Sequence, residues 1–161
     1  MSFFISDKKA RWPGRVARTV FLTLLVTGCT SETPTFDSTL KRHIEAITQR
    51  DLSAYISTIT ERQDLTVIFP DGSRLSTREQ VIDFHRTWFA DPEWRMDIEE
   101  VWRLVSNDFA VVLLRTAYRD TAAGEPRYAW LSMSFAKEKG SWRLVFDQNT
   151  RILDNDAEVS E

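Results

Sequence analysis

The feature that most constrains this chain is a succession of four strand-length runs between residues 94 and 150. Trp94, Met96, Ile98, Glu100, Trp102 and Leu104 recur at every second position, with Arg95, Asp97, Glu99 and Arg103 between them. That period of two predicts a long strand with one covered face. Asn107-Asp108 then turns into Phe109–Tyr118, apolar on both sides for six residues and so expected at the centre of a sheet. A loop over Thr121–Pro126 precedes two further strands, Arg127–Lys137 and Ser141–Thr150, joined through Glu138-Lys139-Gly140. Five of the six tryptophans fall between Trp88 and Trp142, so the large apolar area that a small domain needs is concentrated here.

The preceding stretch has a helical period. Phe36, Leu40, Ile44 and Ile47 are spaced by three and four residues, and Arg50-Asp51 interrupts them. Asp51 is expected to cap a second short helix through Leu52, Tyr55, Ile56 and Ile59. Leu65–Phe69 is strand-forming and stops at Pro70-Asp71-Gly72. Ser76 and Glu79 have the spacing of a capping box, ahead of a helical face bearing Val81, Ile82, His85, Trp88 and Phe89. Asp91-Pro92 ends it. Residues 153–161 form an acidic tail.

The amino-terminal segment reads differently. Basic residues up to Arg18 precede an apolar run, Thr19–Val26, too short to cross a bilayer core and of the length of a signal-peptide hydrophobic region. It ends in Val26-Thr27-Gly28-Cys29, which resembles the bacterial lipobox. The resemblance implies cleavage after residue 28, acylation of Cys29 and a polar tether over residues 29–35. Thr30 stands where that family's inner-membrane proteins carry Asp, which points to the periplasmic face of the outer membrane. The membrane, through that lipid, is the first expected partner.

Charge excludes some functions. Of 21 basic residues five lie in the first 28, as does one of 24 acidic residues, leaving 16 against 23 and a mature charge of −7. Nucleic-acid binding, which needs a basic stripe, is not expected. A single cysteine cannot form an internal disulfide. Two histidines 42 positions apart give no metal-ligand cluster, and there is no Gly-rich phosphate loop or G-x-S-x-G elbow. No cofactor and no metal are expected.

The order helix, helix, strand, helix and four antiparallel strands resembles the nuclear transport factor 2-like, or SnoaL-like, fold over residues 36–152. The closing run Gly140-Ser141-Trp142-Arg143-Leu144-Val145-Phe146-Asp147-Gln148-Asn149-Thr150 and the Arg50-Asp51-Leu52 interruption carry that resemblance. It implies an α+β domain in which three helices pack on a curved, mainly antiparallel sheet, a cone with a pocket at its wide end. It also implies homodimers through the outer face of the sheet. Family members include isomerases, epoxide hydrolases, polyketide cyclases and scaffolds without activity.

Candidate chemistry centres on His85 and Asp147. His85 shares the apolar face of its helix and serves either as a general base or as a hydrogen-bonded interior histidine. Strict alternation puts Asp147 and Asn149 on one face with Arg143 and Val145, opposite Trp142, Leu144, Phe146 and Gln148. Asp147 is then either a proton shuttle with a raised pKa or the ion-pair partner of Arg115. Tyr128, Trp130, Ser132 and Ser134 alternate onto one side, forming with Tyr118 either a pocket wall or a wet outer surface. The expected ligand-pocket set is His85, Trp88, Tyr118, Tyr128, Trp130, Asp147 and Asn149. The reading favours a tethered domain that binds a small hydrophobic ligand or a protein partner without catalysis. The alternative is an isomerase, dehydratase or cyclase using one acid–base residue in an apolar cone.

Overall fold

The computed structural model describes residues 33–153. The expected signal peptide, Cys29 and the expected acidic tail beyond its first residue lie outside the described residues. Among the described residues no helix is long and apolar enough to cross a membrane.

Helix α1 (Phe36–Thr48) is opened by Thr35, whose side chain accepts from the Ser38 N–H at 3.2 Å. It buries Phe36, Leu40, His43 and Ile47 along one stripe. Arg50 breaks the helix with φ of 59°. Its guanidinium donates to the carbonyls of Asp91, Pro92 and Trp94 and lies 4.1 Å over the Trp94 ring. Asp51 caps α2 (Leu52–Ile56) by accepting from Ala54 N–H at 2.9 Å. Strands β1 (Thr66–Ile68) and β2 (Arg74–Leu75) form a hairpin across Pro70-Asp71-Gly72, where Gly72 takes φ of 85°.

Helix α3 (Arg78–Ala90) corrects the expected capping box by one position. Thr77, not Ser76, accepts from Gln80 N–H at 3.2 Å, and Gln80 Oε1 accepts in return from Ser76 N–H at 3.0 Å. Gln80 thus takes the reciprocal role assigned to Glu79, whose side chain is exposed.

Strands β3 (Arg95–Val105), β4 (Phe109–Arg119), β5 (Arg127–Glu138) and β6 (Ser141–Arg151) complete a six-stranded sheet of order β2-β1-β6-β5-β4-β3. Every pairing is antiparallel except β1 with β6. Strand β4, expected at the centre of the sheet, is interior and paired on both edges, but it lies next to the edge strand β3.

Two bulges overturn the simple alternation. In β3, Glu100 pairs with Leu114 and Trp102 with Leu113, so Val101 is an extra residue. Trp94, Met96 and Ile98 face the helices, whereas Trp102 and Leu104 are flipped to the outer surface and are 52% and 58% exposed. In β6, Leu144 pairs with Phe135 and Phe146 with Ser134, which makes Val145 the extra residue. Beyond it Asp147 joins Trp142 and Leu144 on the inner face, the reverse of the expected arrangement. On β5 the inner residues are Ala129, Leu131, Met133 and Phe135. Tyr128, Trp130, Ser132 and Ser134 therefore belong to the outer face.

Candidate functional site

Between α3 and the inner face of the sheet lies a cavity of about 680 Å³. Its buried wall comes from Ile47 of α1, Val67 of β1, His85 of α3, Thr116 of β4, Ala129 and Leu131 of β5, and Asp147 of β6. Phe69, Phe84, Trp88, Met96 and Tyr118 add half-buried apolar surface. Exposed lining residues, among them Asp71, Ser73, Arg127 and Arg151, mark where it meets solvent.

Six of the seven residues expected at the pocket line this cavity: His85, Trp88, Tyr118, Tyr128, Asp147 and Asn149. Trp130 does not, because β5 directs it outward. Tyr128 is also an outer-face residue, but it sits near the strand's start and reaches the cavity edge. Its ring lies 4.7 Å under the guanidinium of Arg115. Arg115 is on the outer face, so the expected Asp147–Arg115 ion pair does not form. Sequence reasoning missed Thr116, Phe84, Phe69 and Met96. Phe69, next to the turn that ends β1, and Met96, on the covered face of β3, carried a local signal of their position.

Asp147 is the chemically distinctive group. It is 7% exposed, and among the described residues its side-chain partner is Asn149, whose Nδ2 donates to Oδ1 at 3.1 Å. No cation faces it in an ion pair among those residues. Burial without a compensating positive charge raises its pKa to about 7. The Asn149 amide also reaches the carbonyl of Ile68 at 3.3 Å, tying β6 to β1 beside the carboxyl group.

His85 is held from the other side. Its Nδ1 lies 2.7 Å from the Val81 carbonyl one helical turn back. A carbonyl only accepts, so Nδ1 carries the proton and Nε2 is a bare lone pair. Burial lowers the His85 pKa to about 4, with the Val81 bond opposing that shift, and the ring is neutral at physiological pH. Tyr55 stacks on it with ring centroids 3.9 Å apart.

Behind this wall sits a second polar layer. His43 Nδ1 is 2.7 Å from Thr58 Oγ1, and that hydroxyl donates to the Tyr55 carbonyl at 2.7 Å. The chain of donors fixes His43 as an Nδ1–H tautomer, leaving Nε2 buried without a partner among the described residues. Burial, and then the charge of His85, lower the His43 pKa to about 3. The Tyr55 hydroxyl is likewise buried and unpartnered. Burial and then the carboxylate of Asp147 push its pKa up.

Among the described residues no group of three or more His, Cys, Asp or Glu side chains is placed to hold a metal ion. The arrangement is an apolar hollow with one buried carboxyl and one imidazole lone pair at its inner wall.

A model of the SnoaL-like domain matches residues 37–149. Among solved structures the chain is similar to a Thiobacillus denitrificans protein provisionally described as a calcium/calmodulin-dependent protein kinase type II association domain. That likeness is 18% identical, covers 75% of this chain and 98% of the other, and has a TM-score of 0.66. It is also similar to a ketosteroid isomerase-like protein from Erwinia carotovora atroseptica, at 19% identity over 77% of this chain and 98% of that one, TM-score 0.60. A third is a nuclear transport factor 2-like protein of unknown function in nutrient uptake from Rhodospirillum rubrum, 20% identical over 74% and 100%, TM-score 0.60. No curated protein matches. At these identities the structural likenesses establish the fold, three helices on a mainly antiparallel curved sheet, and the family match covers most of the chain. The chain belongs to the SnoaL-like domain family.

Proposed function

We propose that this chain is a membrane-tethered binding domain whose cone holds one small, largely apolar molecule. The observation that carries this reading is the cavity of about 680 Å³, walled mainly by apolar side chains and open to solvent at one end. That volume is within the range of small-molecule sites. Filling it is the direct test. Ala129→Trp, which projects from the buried wall, should abolish binding of an apolar dye measured by fluorescence while the protein stays folded by circular dichroism. Undiminished binding would contradict the reading.

Asp147 favours a second reading of the same pocket. A buried carboxyl with a pKa of about 7 exchanges its proton readily near neutral pH, as an isomerase, dehydratase or cyclase requires. Under this reading Asp147→Asn retains ligand affinity and loses turnover, and the wild-type rate changes with an apparent pKa close to that value. Turnover that survives the substitution removes Asp147 from the chemistry.

The tether rests on Val26-Thr27-Gly28-Cys29 and the apolar run before it. Labelled palmitate should enter the wild-type chain in its host membrane fraction, and Cys29→Ala should lose it. The flipped Trp102 and Leu104, with Val101, Val105 and Phe109 exposed beside them, support self-association through the sheet's outer face. Trp102→Glu with Leu104→Lys should convert a dimer to a monomer in sedimentation. A wild-type monomer would refute it.

A further inference from the structure

Three polar groups of the inner cavity wall, on His85, Thr116 and Asn149, have their protons already committed. His85 gives Nδ1–H to the Val81 carbonyl, so its Nε2 can only accept. Thr116 gives its hydroxyl proton to the Ala129 carbonyl at 3.2 Å, leaving oxygen lone pairs. Asn149 uses Nδ2 on the Ile68 carbonyl and on Asp147 Oδ1, and the carbonyl partner fixes the orientation of the amide. Its Oδ1 is left as an acceptor. The second carboxyl oxygen of Asp147 completes the set. All four residues line the same cavity, and among the described residues their side chains make no hydrogen bonds beyond those just named.

We propose that the cavity selects apolar molecules carrying a hydrogen-bond donor, a hydroxyl or an amine, over molecules of the same shape that can only accept. The inference rests on the cavity being a ligand site and adds the chemistry of the ligand. A ketone or ether placed against these four groups, with Asp147 ionised, sets lone pair against lone pair and leaves stripped acceptors unpaired. A hydroxyl or amine gives its proton to the wall and satisfies them. The rings of Phe84, Trp88 and Tyr118 supply flat apolar surface for the rest of the molecule. When Asp147 is ionised, no side-chain donor remains among these four groups. Discrimination is then greatest.

The test is calorimetric titration of the purified protein, at about pH 8.5 so that Asp147 is ionised, with four probes of one bicyclic shape. These are naphthylmethanol, naphthylmethylamine, the methyl ether of the alcohol, and acetylnaphthalene. The alcohol, the amine or both should bind at least about tenfold more tightly than the ether and the ketone, the worth of one good hydrogen bond. Either order between alcohol and amine supports the inference, and the order tells a neutral donor from an ammonium paired with Asp147. Asn149→Leu should bring the alcohol to within about threefold of the ether by removing one acceptor. An ether or ketone that binds as tightly as both donors overturns the inference and leaves the cavity a ligand site. No binding by any of the four overturns the cavity reading itself.

Discussion

The two ends of the cone use the same strands in opposite ways. At the closed end, Phe36 meets Phe135 and Trp142 edge to face at 5.5 and 5.3 Å, over Ala110, Val112 and Leu144. At the open end the inner positions of the same three strands are Thr116, Ala129, Leu131, Asp147 and Asn149, and they face a hollow. The bulge at Val145 lies between these regions on β6. The closed end turns burial into stability, while the open end keeps small and polar side chains where larger apolar ones would pack. A hollow is left where packing is withheld.

The contrast is broken most sharply by truncation. Phe135→Ala, at a fully buried position, should cost about 3–5 kcal/mol in chemical denaturation. Phe84→Ala, on the half-buried cavity wall, should cost about 1–2 kcal/mol, since it enlarges an existing space. Equal costs would mean that the open end is packed as tightly as the closed one.

Next in size is the buried carboxyl. Asp147 has a folded pKa of about 7 against 3.8 for the free group, so the folded state holds a proton that the unfolded state releases between those values. Its contribution is therefore fully present below about 4 and lost as pH rises through about 7. Asp147→Asn removes this loss. The stability of the variant relative to wild type should rise by up to about 4 kcal/mol between pH 4 and pH 8 and then stay level. A difference that does not change with pH would place the carboxyl in water.

The histidines act in the other direction. His43 and His85 are held neutral, at about 3 and about 4 against 6.5, so their contribution is full above 6.5 and lost as pH falls. Between about 4.5 and 6 unfolding takes up two protons at these rings and releases one from Asp147. Wild-type stability should then rise with pH at about 1.4 kcal/mol per unit from these three groups. His43→Asn should abolish that slope. The smallest effect belongs to Thr77→Ala, which removes the α3 cap and should cost about 1 kcal/mol without altering ligand binding.

Much of this was legible in the residues. Three- and four-residue spacing located α1 and α3, and Pro70-Asp71-Gly72 and Gly140 located turns that close as expected. The helical face of α3 directed His85 inward, and it is buried there. The sides of the late strands were not legible throughout. A bulge adds one residue without changing composition, and Val101 and Val145 look like ordinary strand valines. Alternation carried past them assigns Trp102, Leu104 and Asp147 to the wrong faces. Trp130 failed for another reason. Its strand offers two alternating sets, and the more uniformly apolar one, Leu131, Met133 and Phe135, takes the core. Thr116 has no local signal at all. Its place in the wall follows from its pairing with Ala129 across β4 and β5.

Whether the hollow beside Asp147 takes a ligand is settled by a crystal structure of the protein with naphthylmethanol bound. The ring should lie between α3 and the inner sheet, against Phe84 and Trp88, with its hydroxyl within hydrogen-bond distance of Asp147, Asn149 or His85. A ligand-free crystal in which Trp88 and Phe84 close onto Leu131, leaving no space beside Asp147, would contradict it.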